Sequence, residues 1–95
     1  MNRKSRKFGI GTIVRHFKGD LYRIEDFARH TETGELLVIY RQLYPPFYCY
    51  AKPEAMFCSK VDRDRYPNAS QVYRFEKVTK MEAMAISQNN GDRRE

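Results

Sequence analysis

The chain has 95 residues, 41% hydrophobic and 32% charged, the balance of one globular domain with a small core. No apolar run approaches the roughly 18 residues that a membrane helix needs, and the basic start MNRKSRKFGIG lacks the apolar stretch of a secretory signal, so a cytoplasmic location is expected. The formal charge is +6, but residues 8 to 95 carry 14 basic and 12 acidic side chains, so Arg3, Lys4, Arg6 and Lys7 supply most of the excess. Such an arm can hold phosphate loosely without being a reading surface, and it can equally serve only as a solubilising tail.

Residues 1–8 read as this basic arm, 9–79 as a small β-barrel domain, and 80–95 as a short helix and tail. The first predicted strand runs from Thr12 to Lys18. Gly19-Asp20 predicts a two-residue type II′ turn, since that turn needs positive φ at its first central position. The second strand then runs from Leu21 to Arg29. This register pairs Phe17 with Tyr22 and Arg15 with Ile24. It puts Ile13, Arg15, Phe17, Tyr22, Ile24 and Ala28 on the core face, and Val14, His16, Lys18, Arg23 and Glu25 on a wet, basic face. Arg15 on the apolar side then calls for a carboxylate, Asp26 or Glu32, or else reads as an anion-binding residue at an open end.

A second turn within Thr31–Glu35, led by Gly34, predicts a third strand over Leu36–Leu43. Pro45-Pro46 breaks it. A fourth strand over Phe47–Lys52 sets Tyr48, Tyr50 and Lys52 on one face, opposite Cys49 and Ala51. Pro53–Met56 suits one helical turn. Phe57–Val61 and Gln71–Val78 read as further β segments around the polar loop DRDRYPNAS, and Lys80–Ser87 has helical composition, with Met81, Met84 and Ala85 as a stripe that could dock on the domain. Five or six short antiparallel strands with a short C-terminal helix favour a mainly β fold, a small barrel in preference to a sandwich.

The series Arg15-His16-Phe17-Lys18-Gly19, Ala28-Arg29-His30-Thr31-Glu32-Thr33, Leu37-Val38-Ile39-Tyr40, Leu43-Tyr44, Lys52-Pro53, Met56-Phe57 and Arg74-Phe75 resembles the bacterial domain of unknown function 1653 family, over residues 11 to 76. The resemblance implies an SH3-like barrel and no particular activity. Lys52 stands where that family more often has Arg; an ammonium lacks the bidentate fork of a guanidinium.

The candidate ligand-binding residues are Arg15, His16, Lys18, His30, Glu32, Thr33, Tyr44, Tyr48, Tyr50 and Lys52. Exposed aromatics beside cations suit an anionic or aromatic partner such as nucleic acid, a nucleotide or a peptide. A non-enzymatic binding module is the leading expectation. His30 with Glu32 could do acid–base work in a small hydrolase-like enzyme or enzyme subunit, and a strand edge or the Met81/Met84 stripe could serve a structural or assembly role. Cys49 and Cys58, with His16 and His30, match no zinc spacing and no nucleophilic triad, so two reduced, partly buried thiols are expected, with no metal, cofactor or catalytic residue nominated. A monomer or weak homo-oligomer is expected.

Overall fold

Gly19 ends the first hairpin loop, where the sequence reading had it begin one. In the structure, a computed structural model that describes residues 8–79, 81, 82, 84 and 85, His16 N–H donates to Asp20 O at 2.8 Å and Gly19 N–H to His16 O at 2.7 Å. The loop is therefore three residues, Phe17-Lys18-Gly19, with Gly19 at φ 111° as its left-handed member. β1 (Ile13–His16) pairs antiparallel with β2 (Leu21–Arg29) through Ile13–Arg23, Val14–Tyr22 and Arg15–Leu21. Compared with the two-residue turn, the register moves by three. An odd shift turns every β1 side chain over. Val14, expected on the wet face, is fully buried, and His16 joins it on the core side, whereas Ile13 and Arg15 lie on the other face. The expected phase of β2 holds at its start, since Ile24 is buried.

β3 (Leu36–Gln42) follows the second hairpin, in which His30 N–H donates to Glu35 O and Gly34 N–H to His30 O. The β2–β3 register slips between Ile24 and Asp26, a bulge at Glu25. Ile24 faces Tyr40 before it and Phe27 faces Val38 after it, so both point inward. Ala28, expected in the core, is exposed for this reason. The expected pairing of Arg15 with Asp26 or Glu32 does not occur among the described residues. Asp26 Oδ1 accepts the N–H of Phe27, and Arg15 Nε donates to Gln71 Oε1 at 2.7 Å. Gln71, itself buried, donates through Nε2 to the carbonyls of Arg15 and Tyr73, so its amide is satisfied at both ends.

Tyr44-Pro45-Pro46-Phe47 forms a turn with a cis peptide between the prolines and Phe47 at φ 62°, closed by Phe47 N–H on Tyr44 O at 2.8 Å. β4 (Cys49–Pro53) pairs with β3, and α1 (Glu54–Phe57) is the expected single helical turn. The chain then crosses to the far side. Lys60 bridges Tyr73, and β5 (Phe75–Lys77) pairs antiparallel with β1. The order is β4-β3-β2-β1-β5, one five-stranded antiparallel sheet with the helical turn between its two edge strands. The fold is thus mainly β and barrel-like.

The main core comprises Phe8, Val14, Ile24, Val38, Tyr40, Phe57 and Phe75. Phe57 and Phe75 stack with ring centres 4.0 Å apart and planes 4° apart. Phe8, which the sequence reading placed in the arm, packs edge-on against Phe57. A smaller cluster of Leu21 and Val78, flanked by Ile13 and Leu43, covers the opposite face.

Thr79 and Glu82 cap each other. Glu82 N–H donates to Thr79 Oγ1 and Thr79 N–H donates to Glu82 Oε1, a capping box that holds the Glu82 carboxyl below its usual pKa. Met81 and Met84 beyond it are 82% and 62% exposed, so these two side chains do not dock on the sheet as the stripe predicted. Ala85 is exposed as well; residues 80, 83 and 86–95, and residues 1–7, lie outside the described residues. Among the described residues no helix is long and apolar enough to cross a membrane.

Candidate functional site

The inner face of the sheet carries a row of aromatic rings that reaches the surface beside β4. Phe75 is its floor. Tyr22 and Tyr40 meet the Phe75 ring edge-on at 5.7 and 5.5 Å, and His16 does so at 5.0 Å. Lys52 Nζ lies 5.9 Å from the same ring centre. These contacts follow from pairing. His16 faces Phe75 across β1–β5, and Lys52 faces Val38 across β3–β4, two residues from Tyr50, which faces Tyr40.

Hydroxyls rim this floor. The Tyr22 and Tyr44 hydroxyls share a hydrogen bond of 2.5 Å. The Tyr50 hydroxyl donates to Oε1 of buried Gln42 at 2.7 Å, and Gln42 Nε2 donates to Tyr44 O. Burial and the Tyr44 partner push the Tyr22 phenol well above its ordinary range, and burial pushes Tyr40 up to about 12. Both therefore stay neutral and can act as hydrogen-bond groups.

Three cations act on His16. Burial first, then the charges of Lys18, Lys52 and Arg74, lowers its pKa to about 4, with Asp20 opposing. The ring is neutral at pH 7. Its Nδ1 accepts the Lys18 backbone N–H at 3.1 Å, so the proton sits on Nε2 as a donor. Burial and the Arg74 charge likewise lower the pKa of Lys52. Arg74 is brought here by Phe17 N–H donating to its carbonyl at 2.9 Å. Its Nε is buried without a hydrogen-bond acceptor among the described residues. The ion pairs of the described residues both use Glu25, with Arg23 and Arg41 on the outer side; none engages Lys52, Arg74 or Lys18.

A pH effect follows. The folded pKa of His16, about 4, lies below the unfolded value of 6.5, so the unfolded chain binds more protons between these limits. The stability that comes from keeping the ring neutral is full above pH 6.5, declines as pH falls through this window and is gone below about 4. After discount for solvent screening of a half-buried ring it amounts to about 1–2 kcal/mol. Urea midpoints at pH 7 and 4.5 should separate more for the wild type than for His16→Gln.

Of the residues that the sequence nominated, His16, Lys18, Tyr44, Tyr50 and Lys52 come together here. Tyr48 stands at the rim, 59% exposed, with its ring edge-on to Tyr50. Arg15 is on the opposite face, with Gln71. His30, Glu32 and Thr33 lie at the far hairpin, where His30 Nδ1 accepts the N–H groups of Glu32 and Thr33 and Thr33 Oγ1 accepts that of Glu35. These groups shape a turn, and Glu32 and Thr33 are exposed. Tyr22 and Arg74 were missed. Arg74-Phe75 stands out in the sequence only as part of a family signature, and its place near Lys52 depends on the curl of the sheet that brings its two edges together. Cys49 is exposed, where partial burial was expected, and Cys58 is half-buried. Among the described residues no three His, Cys, Asp or Glu side chains could together hold a metal ion.

The fold and this face define a small antiparallel β domain with an aromatic floor ringed by cations and phenol groups. The family described as protein of unknown function (DUF1653) matches residues 12–77, and the chain belongs to it. No curated protein and no solved structure matches the chain.

Proposed function

We propose that this chain is a non-enzymatic, cytoplasmic binding module, an SH3-like barrel whose aromatic face takes an anionic group of a partner. The strand order β4-β3-β2-β1-β5, with a helical turn between β4 and β5, supports the SH3-like description. The observation that carries the function is the crowding of Lys52 and Arg74 beside His16, with neither cation in an ion pair among the described residues. Like charges in a half-buried site oppose one another, and burial adds a desolvation cost. A bound phosphate or carboxylate relieves both effects. The neutral His16 Nε2–H and the phenols add directional hydrogen bonds, while the rings keep water from competing on one side.

Calorimetric titration with tripolyphosphate tests this. Lys52→Met should weaken binding about tenfold, the loss of one charge-assisted contact, and flatten its salt dependence; Lys52→Arg should retain affinity. Equal affinity of Lys52→Met and wild type would remove the proposal.

A further inference from the structure

Beside this face, the tip of the β1–β2 hairpin and the loop following Val61 enclose a depression of about 360 Å³, lined by Phe17, Lys18, Arg65, Tyr66, Pro67 and Asn68 among others. Its centre is a ring pair. Phe17 and Tyr66 meet edge-on at 4.9 Å. Two cations attend it: Lys18 Nζ lies 5.2 Å and the Arg65 guanidinium carbon 5.6 Å from the Tyr66 centre. No carboxylate lines the depression. Nearby, Asp62 Oδ1 accepts the Asp64 N–H, and Asp20 acts on His16 and Tyr22. Asn68 is exposed and brings a side-chain amide, both donor and acceptor, to the rim.

We propose that this depression is a base-binding subsite for single-stranded nucleic acid. The inference rests on the anion-binding reading above and names its ligand class. A nucleotide unit asks for a flat apolar wall for the base, an amide for the base edge and cations for the phosphates, and all three are here at the scale of one base. The charges attract a polyanion, which an apolar or proline-rich peptide would not require. Lys18 joins the two places. Its ammonium lies over Tyr66 and its backbone N–H fixes His16. A strand with one base against Phe17 and Tyr66 can therefore run its phosphates past Lys18 toward Lys52 and Arg74.

Fluorescence anisotropy decides it, using labelled single strands of about ten nucleotides, within the usual site size, and an abasic strand of the same sugar–phosphate length. Wild type should bind the base-bearing strand at least about tenfold more tightly than the abasic one. Tyr66→Ala should erase that ratio and leave abasic affinity unchanged; Tyr66→Phe should keep it. Lys52→Met should weaken both probes alike. Equal wild-type affinity for the two strands, or a Tyr66→Ala loss shared by both, overturns the subsite and leaves the anion-binding reading standing, as would binding of an acidic peptide with neither strand bound. Failure of both strands, an acidic peptide and tripolyphosphate to bind overturns the two together.

Discussion

Val14→Asp is expected to abolish folding. Val14 is fully buried at the centre of β1, paired with Tyr22 on one side and Lys77 on the other, within the cluster of Phe8, Ile24, Val38 and Phe75. A carboxylate there is stripped of water, and the β-branched packing is lost with it. Such a change costs more than about 4–5 kcal/mol, against a total of about 5–15 kcal/mol for a domain. Far-UV circular dichroism should show an unfolded chain. An exposed loop position gives the control: Lys18→Asp should melt near the wild type. Val14→Asp reports the phase of β1. With a two-residue turn at Gly19-Asp20, Val14 would face water and its Asp variant would fold.

Phe57→Ala should remove about 3–5 kcal/mol, the usual cost of deleting a buried phenylalanine ring. Phe57 comes from the single helical turn α1, yet it stacks on Phe75 and meets Tyr40 edge-on at 5.1 Å. It supports from beneath the ring on which His16 and Lys52 rest. Urea unfolding should show the lost stability as a lower midpoint. Phe57→Leu should recover much of it, since volume is largely kept. A midpoint for Phe57→Ala within about 1 kcal/mol of wild type would mean that the stack contributes little.

The outline of the fold was legible in the sequence because its signals are local. Proline pairs, glycine-led turns and alternating apolar residues marked β2 at its observed bounds, β3 and the helical turn to within one residue and β4 to within two. The first hairpin was not, because the same glycine suits either the start of a two-residue loop or the end of a three-residue one. The choice reverses every side chain on β1. The bulge at Glu25 has no glycine to announce it, and it carried Ala28 out of the core and Phe27 in. Tyr50 and Lys52 were rightly placed on one face, since two residues apart on a strand must share a side. His16 was rightly named as their neighbour but from the wrong side of the sheet; it reaches Lys52 over Phe75. Arg74 lies 22 positions beyond Lys52 in the chain, and since β4 and β5 are opposite edges of the sheet, only its curl brings the two cations near each other. No spacing rule predicts a meeting of that kind.

The most direct test of the anion-binding face is a nitrogen–proton NMR titration with tripolyphosphate at low salt, followed residue by residue. The expected shifts fall on His16, Lys18, Tyr22, Lys52 and Arg74, saturate together and need about tenfold more tripolyphosphate in Lys52→Met. Shifts confined to the basic residues 3–7, to Arg15 and its Gln71 partner, or to the His30–Glu35 hairpin would contradict it.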